Sequence, residues 1–495
     1  MMATESSSNS AAVAGGTTGP PSLVRGIGLT TAINLNVLNM IGVGPFITLP
    51  LMVAALGNRA LLGWIFGAVL ALCDGMVWAE LGTRFPESGG SYLYLNRLYG
   101  VERWGRLLSF LYIWQLTFSA PLSTASGAVG LSQYAAYLWP RLNLSWFTYE
   151  VGPGGWFHVR LAVTLGSIVA MLACGLATWL IYNGIQAVGR ISRVLSIGVL
   201  LAIVWVIVSG LAHMGGTAGH ASAFSAEHGV GGFSAGLLIA IYNYGGYYNI
   251  CFLAGEVKDP RRIIPRAIFW SIVIVASLYV FLNISVLQVI PVHEFLAPGA
   301  ISTRSSVIAV VMQRLYGPWA GKAMAVLIVW TAFASMFAVL LGYSRVPYAA
   351  AVDKNYFTSF ATLHQTKHFP TVSLLVLGAV SVFFCLFRLP DLIAALIITR
   401  IVFQFLLQAV GLVAFRSHPG GRPNPFKMPW YPLPALLAIA GFLFVLVHGK
   451  DLSKEIEFAA GLLLTGLTIY GVRAFIEREW PFQRGTRVGS GQGQG

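Results

Sequence analysis

The sequence predicts an all-α polytopic membrane protein, and three observations lead to that prediction. Of its 495 residues, 56% are hydrophobic and only 10% are charged, whereas soluble domains carry about 25% charged residues. Its mean hydropathy is +0.73. Apolar stretches of about 20 residues, the length that crosses a bilayer as a helix, recur between segments rich in charge, Gly or Pro. These properties exclude an ordinary soluble enzyme.

Twelve stretches of this kind are the candidate transmembrane helices. Their approximate limits are 29–56, 61–82, 105–137, 158–180, 187–213, 232–256, 266–290, 319–350, 370–387, 391–414, 432–448 and 456–476. An even number of spans places both termini on the same side of the membrane. With the N-terminus in the cytoplasm, most of the 31 Lys and Arg residues fall in cytoplasmic segments, which is the usual orientation. We therefore expect an integral protein of the cytoplasmic or plasma membrane with both termini cytoplasmic.

The net charge of +14 does not predict nucleic acid binding, because the basic residues lie between apolar stretches instead of on one continuous surface. The expected surroundings are a lipid bilayer. The four cysteines lie in apolar stretches without CxxC spacing, so we expect neither a disulfide framework nor a metal site. They are Cys73, Cys174, Cys251 and Cys385.

Composition divides the chain into four parts. Residues 1–22 are rich in Ser, Ala, Gly and Thr and have no basic start, which predicts a disordered cytoplasmic tail and not a signal peptide. Residues 23–415 hold the first ten spans and form the expected core. Residues 416–478 hold two additional spans, and residues 479–495 form a second cytoplasmic tail.

The first span contains residues that oppose a continuous helix. Gly42 and Gly44 weaken the helix, and Pro45 lacks the N–H that would bond back to the carbonyl of Ile41. Pro45 is suited to the first turn of a second, separate helix. We therefore expect the first span to consist of two half-helices.

The sixth span has a similar interruption at the matching place in the chain. Gly245 and Gly246 are adjacent there and are flanked by Tyr242, Tyr247 and Tyr248. Backbone that leaves a helix inside a membrane needs partners from protein, ligand or trapped water, so breaks are tolerated around a buried cavity. Paired breaks are typical of a transporter site built from inverted repeats. The alternatives are close helix packing at the glycines, a simple kink at the proline and an interfacial belt of tyrosines.

Several motifs together resemble one family, the permeases of the amino acid, polyamine and organocation (APC) superfamily. The matching segments are GVGPF at 42–46, AELG at 79–82, PESGGSY at 86–92, NYGGYY at 243–248, LAGEVKDP at 253–260, IPRA at 264–267 and the segment from Tyr343 to Asp353. The NYGGYY segment is similar to L-type amino-acid transporters, and the LAGEV stretch is similar to polyamine-type permeases. The resemblance implies the LeuT fold, a five-plus-five inverted repeat of helices with broken helices 1 and 6, and a secondary transporter that works by alternating access.

The resemblance also implies where a substrate would bind. Backbone N–H groups of Val43 and Gly44 would receive a carboxylate. Carbonyl groups of Met40, Ile41 and Tyr242 would receive an amine, with Tyr242 also at the position of an aromatic gate. The candidate binding residues are completed by Gly245, Gly246 and Tyr247. Pro45 departs from the family pattern because it removes one N–H from the carboxylate site.

Charge distribution narrows the substrate. Neither broken region contains an acidic residue, and an unpaired cation in low dielectric costs several kcal/mol, so we expect a neutral, zwitterionic amino acid. A polyamine or cationic amino acid stays an alternative because Asp74 lies within the second span. Gating or coupling candidates are Asp74, Glu80, Glu256 and Arg400. No cofactor is expected, and the choice of H+ or Na+ as coupling ion stays open.

Other function classes have weaker support. The segment GFSAG at 232–236 fits G-x-S-x-G, but that motif needs a strand, a sharp turn and a helix, whereas here it opens an apolar helix. We therefore do not expect an enzyme. A channel would need rings of pore-lining charge or a repeated filter motif. A nutrient sensor derived from a transporter would have the same sequence features, and flux distinguishes the two.

Overall fold

The computed structural model describes residues 23–151, 159–184, 187–213, 229–296, 306–388, 397–417, 426–449 and 452–482. Helices dominate this part of the chain. The α-helices are α1 (Leu29–Met40), α2 (Gly44–Leu56), α3 (Ala60–Arg84), α4 (Ser91–Leu98), α5 (Trp104–Leu138), α6 (Leu165–Gly184), α7 (Val188–Ala212), α8 (Gly229–Tyr244), α9 (Asn249–Phe252), α10 (Pro260–Val289), α11 (Val292–Leu296), α12 (Val307–Tyr316), α13 (Pro318–Tyr343), α14 (Arg345–Val352), α15 (Thr371–Phe384), α16 (Leu407–Arg416), α17 (Leu433–Val447) and α18 (Leu452–Glu477).

The length and apolar composition of the helices agree with the predicted polytopic membrane protein. Within the described ranges, seven continuous helical segments are long and apolar enough to cross a membrane. Three shorter apolar helices are α12, α15 and α17. The predicted tail at 1–22, part of the tenth span at 391–396 and residues 483–495 of the second tail lie outside the described residues.

The first span breaks where its glycines and proline predict. Helix α1 ends at Met40, α2 begins at Gly44, and the three residues between them are not helical. Pro45 occupies the first turn of α2, where its missing N–H costs no helical hydrogen bond. The span is therefore two half-helices joined by a short unwound segment.

The sixth span breaks as well, and the two breaks touch. Helix α8 ends at Tyr244 and α9 begins at Asn249. Gly246 lies between them with φ +129°, a backbone conformation that residues with a Cβ rarely adopt. A Cβ at this position would lie 2.9 Å from the backbone nitrogen of Met40. Glycine is therefore needed both for the turn and for the approach of one break to the other.

The breaks lie at the centre of the helix bundle. Helix α1 packs against α7, α10 and α13, while α8 packs against α2 and α3. Helices α3 and α10 pack along each other, and so do α5 and α13. Trp64 of α3 contacts the rings of Tyr244 and Tyr279, with ring centroids 6.1 and 5.1 Å away. Aromatic side chains thus pack beside the unwound segment of the sixth span.

The fourth span differs from the sequence prediction at its start. Strand β1 (Ser145–Val151) pairs antiparallel with β2 (Val159–Thr164), and β3 (Phe387–Arg388) pairs with β2. The predicted helix therefore begins at Leu165 and not near 158. The β-branched residues Val159, Val163 and Thr164 favour the strand, and Arg160 lies opposite Glu150 in the register.

Two other spans are less regular than predicted. The eighth is divided into α13 and α14 at Ser344. The described part of the tenth begins at Ile397 and includes a π-helical segment, Ile401–Leu406, before α16. A π segment changes which side chains face inward and often occurs at functional sites.

The last two helices lie on the outside of the bundle. Helix α17 packs against α3, and α18 packs against α5. The chain after α18 stays in contact with the body: Arg106 forms an ion pair with Glu479, and the ring centroids of Trp104 and Trp480 are 4.9 Å apart. The predicted second tail therefore includes, at 479–482, residues that contact the bundle.

Candidate functional site

A cavity of about 110 Å³ lies between the two breaks. Five parts of the bundle line it: the break in the first span, α5, the break in the sixth span, α13 and the tenth span. The lining residues are Asn39, Met40, Gly42, Val43, Gly44, Ser123, Gly127, Ile241, Tyr242, Asn243, Gly245, Tyr248, Ser335, Val339, Tyr343, Ile397, Arg400, Ile401 and Phe405. The paired breaks thus open onto one shared cavity.

Five of the eight candidate binding residues line this cavity. They are Met40, Val43, Gly44, Tyr242 and Gly245. Gly44 begins α2 and Val43 directly precedes it, and the first N–H groups of a helix have no acceptor within the helix. The partial positive charge at a helix start also favours an anion. This edge of the cavity can therefore receive a carboxylate.

The other three candidates are buried beside the cavity and do not line it. Ile41 has no exposed surface, and its N–H donates to the carbonyl of Val37 at 2.8 Å. Gly246 faces the backbone of Asn39 and Met40. Tyr247 points away from the cavity, and the next residue, Tyr248, lines it instead.

The side chain of Tyr247 forms a hydrogen bond with Asp74 outside the cavity. Its hydroxyl donates a hydrogen bond of 2.5 Å to Oδ2 of Asp74, and both residues are buried. The second carboxylate oxygen of Asp74 has no hydrogen-bond partner among the described residues. Asp74 therefore lies behind the break in the sixth span and outside the cavity.

Buried side chains satisfy the backbone that leaves the helices at the breaks. Asn36 donates to the carbonyl of Tyr247 at 2.6 Å and accepts from the N–H of Ile250 at 3.0 Å. The hydroxyl of Tyr279 lies 2.8 Å from the carbonyl of Met40 and 3.2 Å from that of Asn243. Sequence reasoning missed Asn36 and Tyr279, although a polar side chain within an apolar span is the signal that marks both.

Asn243 connects the breaks on the cavity side. Its amide nitrogen donates to Oγ1 of Thr48 at 2.9 Å, and its amide oxygen is buried without a hydrogen-bond partner among the described residues. A Cβ at Gly44 would lie 2.5 Å from that oxygen. Glycine at this position therefore allows the sixth span to pack directly against the start of α2.

Tyr242 lies where three cavities meet. A second cavity of about 360 Å³ runs along α2 and is lined by Ile47, Gln133 and Phe387 among others. A third, of about 20 Å³, lies beside Arg400. Tyr242 lines all three, and 43% of its surface is exposed.

Glu80 and Glu256 are held in ion pairs. Glu80 has no exposed surface. Its carboxylate accepts two hydrogen bonds of 2.6 Å from Arg416 and a third, of 3.1 Å, from the N–H of Met428. Glu256 accepts bonds of 2.7 and 3.3 Å from Arg345, which is itself fully buried. Both arginines belong to helices, α16 and α14.

Arg400 is the candidate gating residue that reaches the cavity. Its Nη2 lies 3.4 Å from Oγ of Ser123, and its guanidinium lies 5.6 Å from the ring centre of Tyr343. Its Nε is buried and has no hydrogen-bond partner among the described residues.

The G-x-S-x-G segment and the four cysteines are the sequence features that could have indicated an enzyme or a metal site. The G-x-S-x-G segment lies within α8, where the hydroxyl of Ser234 donates to the carbonyl of Val445 at 3.5 Å, so there is no strand-to-helix elbow. All four cysteines are buried and free, and Sγ of Cys174 lies 3.7 Å from Sγ of Cys385. In the part of the chain that the structure describes, His, Cys, Asp and Glu form no group suited to a metal ion.

Comparison with known proteins decides the family. The sequence model of the amino acid permease family matches residues 27–465. The chain belongs to this family. Its relatives include a serine/threonine exchanger of Bacillus subtilis, 28% identical over 90% of this chain and 96% of the exchanger. The human cystine/glutamate transporter is 26% identical over 90% of this chain and 85% of its own length. The mouse large neutral amino acids transporter small subunit 2 is 26% identical over 91% of this chain and 81% of its own length.

Family membership confirms the main functional prediction. The protein is an integral membrane permease for amino acids, and it is not an enzyme. The apolar helices and the family together establish a polytopic, predominantly helical membrane protein. The resemblance to the APC superfamily, predicted from the motifs, is confirmed as well.

Proposed function

We propose that the permease carries small zwitterionic amino acids with neutral side chains, and that they pass through the cavity between its two broken spans. The observation that supports this most is the cavity of about 110 Å³ that Val43 and Gly44 line from one break and Tyr242 and Gly245 from the other. An amino acid carries its ammonium and carboxylate groups on the same carbon, and the two breaks offer opposite partial charges side by side.

The α-carboxylate is assigned to the start of α2. Val43 and Gly44 lie at the start of α2, where the first N–H groups lack acceptors within the helix and the helix dipole adds to the attraction. Pro45 removes the next N–H, so the site depends on these two donors. The unwound residue before them, Gly42, also lines the cavity.

The α-amine is assigned to carbonyl groups at the ends of α1 and α8. Met40 and Tyr242 both line the cavity. The carbonyl of Met40 already accepts from Tyr279, which leaves one of its two lone pairs for a substrate. Ile41 and Tyr247 support the breaks from behind and are not assigned to substrate contact.

A neutral side chain agrees with the charges around the cavity. No Asp or Glu belongs to its described lining, so a polyamine or a cationic amino acid would enter without a counter-charge. Arg400, which does line the cavity, would repel such a substrate further. The serine/threonine exchanger and the large neutral amino acids transporter among the relatives also support neutral substrates.

For the fold we propose the LeuT arrangement: ten spans in a five-plus-five inverted repeat, two additional spans and both termini in the cytoplasm. The matching breaks in spans one and six support the repeat. The separate packing of α17 and α18 on the outside supports the division into a core and two added helices.

Alternating access needs closures on both sides of the site. We assign the outer closure to Tyr242, which lies between the central cavity and the larger one along α2. The inner closure is assigned to the pairs Glu80–Arg416 and Glu256–Arg345, each of which joins different spans. Asp74 is our candidate for a coupled proton because it is buried and has no cationic partner among the described residues.

Uptake into proteoliposomes tests this function. The purified permease should take up at least one labelled neutral amino acid in a panel and should not take up spermidine or putrescine. Uptake is measured with and without Na+ and at several pH values, which identifies the coupling ion. Uptake of polyamines alone would contradict the proposal. Binding of amino acids without flux would indicate a sensor.

A further inference from the structure

The start of α10 presents an exposed basic face. The three charged residues of this helix are arginines in its first two turns, Arg261, Arg262 and Arg266, and each is exposed. Lys258, just before the helix, is exposed as well. The acidic side chain in this stretch, Asp259, lies 3.8 Å from Arg262 in an exposed ion pair, which contributes little. The ion pairs recorded within the described ranges include none for Arg261 or Arg266. The face therefore keeps a net positive charge.

The length of α10 places this face at the level of the lipid headgroups. The helix has 30 residues and so spans about 45 Å, whereas the hydrocarbon core of a bilayer is about 30 Å thick. Roughly ten residues of the helix therefore extend beyond the hydrocarbon. Its residues 267–289 carry no charge, so the end that extends into the headgroup region is the one with the arginines.

The basic face turns away from the helix bundle. Helix α10 packs against α1, α3 and α7, and its buried side includes Ile264. Arg262 and Arg266 are four positions apart on the opposite side, and Phe269 and Trp270 follow on that same side. These two aromatic residues are each 50% exposed. Aromatic rings are enriched where headgroups meet acyl chains, so the order of arginines and then aromatics matches the layers of one leaflet.

We propose that this face of α10 binds the headgroups of anionic phospholipids. Guanidinium groups form charge-assisted, two-pronged bonds with phosphate oxygens. The aromatic rings one turn further along can pack against the upper part of the acyl chains. A zwitterionic lipid has the same phosphate, but its own cation cancels the charge, so the basic face favours headgroups with a net negative charge. This site lies outside the substrate cavity, and the inference goes beyond the proposed function.

The segment just before α10 connects this face with the inner closure. Glu256, which pairs with Arg345, accepts at its backbone carbonyl from the N–H groups of Gly26 and Ile27 at 2.8 and 2.9 Å. The N–H of Lys258 donates to the carbonyl of Ile27 at 3.1 Å. The lipid-binding face and the contacts that hold the chain before α1 thus adjoin in one short segment.

Native mass spectrometry of the purified full-length permease tests the proposal. The protein in detergent is titrated with palmitoyl-oleoyl phosphatidylglycerol and, separately, with palmitoyl-oleoyl phosphatidylcholine, which share acyl chains and differ in headgroup charge. The wild type should bind phosphatidylglycerol more tightly. The double variant Arg262→Gln/Arg266→Gln should weaken binding of phosphatidylglycerol at least about tenfold, because each arginine contributes about fivefold in affinity for an anionic lipid surface. Binding of phosphatidylcholine should stay within about twofold.

Two control variants separate the site from overall charge. Arg262→Lys/Arg266→Lys retains both charges and should retain the preference for phosphatidylglycerol. Arg59→Gln/Arg141→Gln removes the same charge from exposed positions after α2 and α5, and the wild-type preference should be unchanged. Size-exclusion chromatography checks the folding of each variant. Glycerol phosphate, the anionic group without acyl chains, should not displace the lipid at equal concentration.

Three results would overturn the proposal. The first is equal affinity of the wild type for the two lipids. The second is a preference for phosphatidylglycerol that survives in Arg262→Gln/Arg266→Gln or is lost equally in Arg59→Gln/Arg141→Gln, since binding would then follow net charge and not a site on α10. The third is displacement by glycerol phosphate, which would indicate a site for a soluble phosphate compound. These measurements need no transport, so a failure of amino-acid uptake would contradict the proposed function and not this inference.

Discussion

Replacement of Gly246 by alanine tests the contact between the two breaks. At φ +129° a residue with a Cβ is strained by about 1–3 kcal/mol. The added Cβ would also lie 2.9 Å from the nitrogen of Met40 and 3.0 Å from the carbonyl carbon of Asn39. Those neighbours are backbone atoms and cannot rotate away. The break in the sixth span must therefore move away from the break in the first.

The expected result is weaker substrate binding in a folded protein. If the strain falls on the binding-competent arrangement, about 1–3 kcal/mol weakens affinity about fivefold to 150-fold. Affinity is measured by titrating a transported amino acid in a thermal-shift assay, and folding is checked by size-exclusion chromatography. Gly175→Ala is the matched control, since a Cβ there meets nothing within 4 Å. Wild-type affinity in a folded Gly246→Ala protein would refute the reasoning.

Two other predictions concern buried charges. Glu256→Gln should lower the free energy of unfolding by about 3 kcal/mol, because it leaves the buried Arg345 without its counter-charge. The control is Glu87→Gln, which removes an exposed ion pair with Arg97 at 3.8 Å and should lower the free energy of unfolding by less than about 1 kcal/mol. Denaturant unfolding in detergent compares the two, and equal effects would contradict the assigned pair. Asp74→Asn should retain an acceptor for Tyr247 and hence wild-type stability, whereas Asp74→Leu should cost about 1–3 kcal/mol for the unpaired buried hydroxyl. If Asp74 carries the coupled proton, uptake by Asp74→Asn should no longer respond to a pH gradient, and an unchanged response would exclude that role.

The breaks were predictable because their causes are local. Proline lacks an N–H wherever it occurs, and adjacent glycines weaken any helix, so Pro45 and Gly246 marked the unwound segments before any tertiary contact was known. The resemblance to the APC superfamily pointed to Val43 and Gly44 as binding residues, and both line the cavity. Which neighbour of Gly246 would face the cavity was not predictable in this way.

The remaining features depend on partners distant in sequence. Tyr247 turns away from the cavity because Asp74, 173 positions earlier, accepts its hydroxyl. Tyr279 supports the break in the first span from 239 positions away. The strand at the start of the fourth span needs Ser145–Val151 as its partner, and an apolar window alone cannot distinguish it from a helix.

Arg400 was identified from the sequence as a candidate residue, but its surroundings were not predictable. The sequence marked it as a gating or coupling candidate. The structure places it in the lining of the cavity between the two breaks, beside Ser123 and without a carboxylate partner among the described residues. The absence of acidic residues near the breaks is the basis for expecting neutral substrates, and that expectation stays a prediction.

The most direct test of the central claim is a structure of the permease with a transported amino acid bound. Our account predicts the α-carboxylate within hydrogen-bond distance, about 3 Å, of the backbone nitrogens of Val43 and Gly44, and the α-amine at the carbonyls of Met40 and Tyr242. A substrate bound out of hydrogen-bond distance of all four of these groups would contradict it.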